Sequence, residues 1–164
     1  MRIVGLLAVL GACAALGLCR AQTEARTLRC LEGLCAGLRC MREELAARLA
    51  PLDELLPLAA ARAGEAGRFF RRLTEAMDKL GAQSFGALWC EACRELPLLP
   101  TDVGGDLEAL GATLGRAELS DQLAACDRFL ARCEAEIDGR RRRLPEQRRL
   151  FLALGAAAGL FLCL

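Results

Sequence analysis

The chain has 164 residues with 22 basic and 21 acidic side chains, a net charge of +1, a mean hydropathy of +0.28, 10 cysteines, no histidine and no tyrosine. So balanced a charge speaks against a nucleic-acid partner, and the six arginines among residues 140–149 carry no interleaved aromatic side chain on which a base could stack. Without histidine, and with Lys79 as the sole lysine, the chain offers neither imidazole acid–base chemistry nor a phosphate-cradling Gly-Lys loop, so it reads as a protein that is not an enzyme and takes no cofactor.

The first element is the uncharged run Ile3 to Cys19, 17 residues between Arg2 and Arg20. As a helix it is about 26 Å long, at the lower limit for a hydrocarbon core of about 30 Å. A second uncharged run, Leu150 to Leu164, reaches only about 22 Å. The expectation is an N-terminal membrane helix over 1–20 and a C-terminal one over 145–164, the latter shortened or truncated. Within the second run Gly155 and Gly159 stand four apart and predict a smooth strip on which another helix packs. Arg20, Arg26 and Arg29 follow the first run, and Arg140 to Arg143, Arg148 and Arg149 precede the second. Arginines crowd the cytoplasmic side of membrane segments, so both flanks put residues 21–144 inside the cell. The competing reading is an exported or lipid-anchored helical protein with a cleaved N-terminal signal. Leu10-Gly11-Ala12-Cys13 resembles a lipoprotein cleavage box, although the apolar run continues well past it.

Residues 21–144 repeat their apolar side chains every three or four positions without strand-like alternation, which predicts one all-α helical-bundle domain between the two apolar helices. Leu28, Leu31, Cys35, Leu38, Leu45 and Leu49 form the first stripe, and Pro51 ends it. A shorter helix carries Leu55 and Leu56, and Gly64 and Gly67 interrupt or close it. Phe69, Phe70, Leu73, Met77 and Leu80 make the next face, closed by Gly81. Ser84 is placed to cap a helix carrying Phe85, Leu88, Trp89, Ala92 and Leu96. Pro97 to Gly105 reads as a loop, with Thr101 or Asp102 capping a helix that carries Leu107, Leu110 and Leu114. Gly111 and Gly115 lie four apart on that helix and predict a strip against the seam of Leu123, Cys126 and Leu130. The last helix carries Leu119, Leu123, Cys126, Leu130, Cys133, Ile137 and Leu144 in a seven-residue repeat. Pro145 is expected to kink or break its connection to the second apolar run.

Cys30, Cys35 and Cys40 are spaced by five, so successive thiols on a helix point about 140° apart and do not converge on one metal. Cys90 and Cys93 alone have ligand-like spacing, and completing a zinc or redox module there requires cysteines from elsewhere in the chain. Seven cysteines in the middle part is an odd number, which fits reduced thiols better than a closed disulfide framework.

The run LGATLGRAELSDQ, Leu110 to Gln122, followed by a long charged helix and a terminal LGAAAGLFLCL, resembles the stage III sporulation protein AB family of endospore-forming bacteria. That family carries a pattern close to LGxxLGxxDxxxQ, to which Leu110, Gly111, Leu114, Gly115 and Gln122 correspond, and Leu154 and Gly155 correspond to the opening of its C-terminal membrane helix. Pro51-Leu52 with Glu54 is similar to the family's Thr-Pro-Leu-x-Glu-Ala turn, with Ala50 in place of the threonine. Phe69-Phe70 and Trp89 match its aromatic positions. The resemblance implies a membrane component of the channel between mother cell and forespore, similar to the inner-membrane platform protein of type II secretion. Its implied partners are the channel's cytoplasmic ATPase and the other channel membrane proteins. Its implied place is the mother-cell membrane around the forespore, with the central domain cytoplasmic.

Overall fold

The structure is a computed structural model that describes residues 2–96, 99–114 and 116–162, with side chains placed for 19–96, 99–114 and 116–142. Among the described residues it is all helical: α1 (Arg2–Arg48), α2 (Leu52–Arg62), α3 (Gly67–Ala76), α4 (Phe85–Arg94), α5 (Thr101–Thr113) and α6 (Leu119–Leu162). The chain divides into two compact units. One comprises residues 1–26 and 138–164, and the other residues 27–137.

In the unit of residues 27–137, α2 packs on α3 and α4 on α5, giving two helical hairpins. The α1 stripe of Cys30, Leu31, Leu34, Cys35, Leu38 and Met41 is buried, as the spacing of apolar residues requires. Two glycines lie on the same stripe and let other elements come close. A β-carbon at Gly33 would stand 2.1 Å from the Ala63 carbonyl oxygen, and one at Gly37 would stand 2.5 Å from the Phe70 ring. The stripe ends earlier than its periodicity suggests. Leu45 is partly buried, whereas Leu49 is 66% exposed in a left-handed conformation (φ 51°) just before Pro51.

The punctuation that follows is largely as expected. The α2 helix starts behind Pro51 with Asp53 and Glu54 in its first turn, where carboxylates favour the exposed amides, and buries Leu55, Leu56 and Ala59. Gly64, at φ +48°, turns the chain through a short 3-10 segment into α3, where Phe69, Phe70 and Leu73 are buried. Beyond Ala76 the chain tightens into another 3-10 turn, Met77–Lys79, so Leu80 lies outside the α3 face and is 47% exposed. Gly81, at φ +110°, completes the stop.

Three expectations fail locally. The helix α5 begins at Thr101, so Gly104 and Gly105 are helical rather than part of a loop. Pro100 occupies the cap position and no side chain caps there, because proline carries no side-chain acceptor; its carbonyl starts the helix by accepting the Gly104 amide at 2.9 Å. At the other end, α6 runs helical through Pro145 as one element of 44 residues, so the chain does not break there. The seam of α6 is buried at Cys126, Leu130, Cys133 and Ile137, but Leu119 and Leu123 are only half-buried, and Ala125 and Phe129 join the core beside it. Leu144 lies outside the residues with described side chains.

In the unit of residues 1–26 and 138–164, Arg140 Nη1 lies 2.5 Å from Glu24 Oε2, joining its α1 and α6 segments. Residues 2–18 and 143–162 are helical, but their side chains fall outside the described set, as does any packing at Gly155 and Gly159. Among the described residues no helix is long and apolar enough to cross a membrane.

Candidate functional site around Trp89

Trp89 is positioned by the local chemistry of α4. Ser84 has the extended backbone of a cap, and its hydroxyl accepts the Ala87 amide at 3.3 Å, as its place before the apolar run predicts. From that start Phe85, Leu88, Trp89, Ala92 and Cys93 fall on one face and are buried, while Leu96 is half-buried. The Trp89 indole is wholly buried, and its Nε1–H donates to the Leu107 carbonyl of α5 at 2.8 Å, which satisfies the one polar group it takes from water. Phe69 meets it edge to face at 4.9 Å and 90°, and Phe85 lies 5.7 Å away.

Gly111 makes this possible. A β-carbon there would lie 2.1 Å from Trp89 Cδ1 and 2.2 Å from Cγ, so the indole stands where a side chain would be. The expected glycine strip against Leu123, Cys126 and Leu130 is therefore corrected at Gly111, whose neighbour is α4. Gly115 lies outside the described residues. Leu110 and Leu114 are buried on either side, and Leu114 leaves the helical conformation (ψ 130°) to end α5. Gln122 donates from Nε2 to the Ala117 carbonyl at 2.8 Å, tying the first turns of α6 to the loop that precedes it. Of the motif residues, the fold brings Trp89, Leu110 and Gly111 together, and Leu114 and Gln122 secure the exit from α5.

The thiols follow a different logic. Among the described residues no three Cys, Asp or Glu side chains are grouped to hold a metal ion. Burial, with Cys90 and Glu108 nearby, pushes the Cys93 thiol up to about 12, and burial beside Asp127 pushes Cys126 up to about 11. Cys35, for which spacing alone names no partner, shares a hydrogen bond with Cys133, which lowers Cys35 and raises Cys133. Cys133 also lies with its Sγ 3.7 Å from the Leu31 carbonyl. The only advance signal was that both thiols sit on apolar stripes. Buried, proton-retaining thiols are poor nucleophiles, so Cys93, Cys126 and Cys133 act as small core residues, and Cys35, whose lowering comes from its bond to Cys133, is buried with them.

The outside of this unit is laced with ion pairs. Arg42 grips Asp127 through two bonds of 2.9 and 3.1 Å and holds that carboxyl below its usual range, while Arg39 pairs with Glu134 and Arg29 with Glu65. Between α5 and α6 runs an open groove of about 270 Å³ whose walls include Phe129, Arg128, Arg132 and Asp106. Arg132 Nε lies 3.3 Å from Asp106 Oδ2 across it. The arrangement offers rigid packing within and a patterned charged surface without.

No curated protein and no solved structure matches the chain. The family model described as stage III sporulation protein AB matches residues 2–164, including the Trp89, Leu110, Gly111 and Gln122 positions. The chain therefore belongs to the stage III sporulation protein AB family.

Proposed function

We propose that this sporulation protein is a non-enzymatic, membrane-bound assembly component of the channel between mother cell and forespore, and that its helical domain docks the channel's cytoplasmic ATPase. The family match across residues 2–164 is the observation that carries the reading. It is supported by two apolar runs bordered by arginines, which in this reading are membrane helices over 1–20 and 145–164 holding residues 21–144 in the mother-cell cytoplasm. A core locked around Trp89, with ion pairs on its exterior, suits a docking platform: rigid support lets charged surface residues set partner choice. The chain's own chemistry gives it no means to turn over ATP, so that work falls to the partner.

Two measurements test this. A reporter active only outside the membrane, fused after Leu96, is silent if the domain is cytoplasmic, and strong activity overturns the orientation. Capture of the ATPase by the detergent-solubilised full chain is the expected docking result, and its failure in both detergent and reconstituted vesicles removes the platform role. A mature chain starting at Cys13 or Ala21 supports the exported alternative instead.

A further inference from the structure

The two units of this chain carry opposite charge. Residues 1–26 and 138–164 hold nine arginines and three carboxylates, whereas residues 27–137 hold 13 basic and 18 acidic side chains. In the first unit the Arg140–Glu24 pair sets its α1 and α6 segments side by side. Glu24 stands five residues past the first apolar run and Arg140 ten residues before the second, so both runs lead away from this pair. Around it Arg20, Arg26, Arg141 and Arg142 are exposed.

We infer that these arginines form a docking surface for anionic phospholipid headgroups, an inference that rests on the membrane reading above. The depths agree with it. Arg148 and Arg149 directly precede Leu150, which places them in a headgroup layer about 5–7 Å thick when the apolar run lies in the hydrocarbon. Arg141 to Arg143 follow about 10–13 Å from Leu150 along the helix, still within about one Debye length of that layer. Guanidinium is matched to phosphate, taking two oxygens at once and remaining charged at every physiological pH. The lipid surface is favoured over a nucleic acid because the arginines border apolar runs and no ring stands among residues 138–149 for a base to stack on.

The full chain is reconstituted into vesicles of phosphatidylcholine alone and into vesicles with about one third phosphatidylglycerol, then floated, gently solubilised and analysed for retained lipid. Flotation with both compositions tests the membrane reading. The docking surface predicts that retained phosphatidylglycerol is enriched about threefold or more over the bilayer, and that high salt removes the enrichment. Joint replacement Arg141→Gln, Arg142→Gln, Arg148→Gln and Arg149→Gln leaves flotation intact and abolishes the enrichment. Arg140 is kept to preserve its pair with Glu24. Lipid that mirrors the bilayer overturns the inference while the membrane reading stands, and a chain that floats with neither composition overturns both. Release of the retained phosphatidylglycerol by a single-stranded RNA at physiological salt would assign the arginines to nucleic acid and also overturn it. The salt arm needs no variant, so a quadruple variant that fails to fold does not remove the test.

Discussion

Trp89 and Gly111 share a single space: the indole of one occupies the volume in which the other would carry a side chain, with Cδ1 2.1 Å from the ideal β-carbon position. An α-helical glycine normally gains about 1 kcal/mol on becoming alanine. Here the added methyl must push the fully buried indole against Phe69 and strain its bond to the Leu107 carbonyl. We predict that Gly111→Ala destabilises by about 1–3 kcal/mol net, read as a lower urea midpoint. A midpoint at or above the parent's would show that the socket has room to spare.

The cap of α4 bears on the same socket from the other side. Removing the Ser84 hydroxyl leaves the Ala87 amide without its side-chain acceptor. Ser84→Ala should cost about 1 kcal/mol, and Ser84→Asp should restore most of it, because a carboxylate caps as well and favours the helix N-terminus. Equal melting of the alanine and aspartate variants would contradict the capping role.

Stability should fall on the alkaline side. Unfolded thiols ionise near 9, while Cys126 is pushed up to about 11 and Cys93 to about 12. A folded-state value above the unfolded one means that the stabilisation is complete below pH 9 and is lost as pH rises through 11 and 12. Under reducing conditions the urea midpoint should therefore drop between pH 8 and pH 10 by more in the parent than in a Cys93→Ala, Cys126→Ala double variant, an interval spanning about the usual thiol value. Parallel slopes would assign the loss to other groups.

On the acid side the sign reverses. Arg42 lowers the Asp127 carboxyl, so the pair contributes above the ordinary carboxylate range and is lost as pH falls through the lowered value. Both side chains are solvent-accessible, at 36% and 53%, which makes the contribution small and salt-sensitive. Asp127→Asn should flatten the acid limb at low salt and match the parent at high salt. A difference that persists in high salt would mean the pair acts through something other than charge.

The fold was legible where local chemistry decides it. The Ser84 cap, the Gly64 and Gly81 stops and the buried faces of α3 and α4 follow from residues within a few positions of one another. Trp89 and Gly111 stand out in the sequence as motif positions, but what packs on them does not. Gly111 was read against α6, because the sequence gives spacing along a helix and not which neighbour closes on it. Trp89 sits 22 residues earlier, and only the α4–α5 crossing brings it over the glycine. Cys35 and Cys133, 98 residues apart, met for the same kind of reason. The prolines and glycines of Pro97 to Gly105 point to a loop with Thr101 or Asp102 as cap, yet a proline at the cap position and glycines within the first turns are compatible with a helix that the core holds in place.

The burial of Trp89 also makes the protein its own reporter. With one tryptophan and no tyrosine, ultraviolet emission excited at the red edge of protein absorption comes from this one indole. Its ring is dry, edge-on to Phe69 and hydrogen-bonded to a carbonyl, so the native emission should lie toward the blue and shift red when water reaches it. Fluorescence of this chain thus follows the opening of the α4–α5 hairpin, and a partner bound on the outer surface will leave the signal unchanged unless it loosens that hairpin.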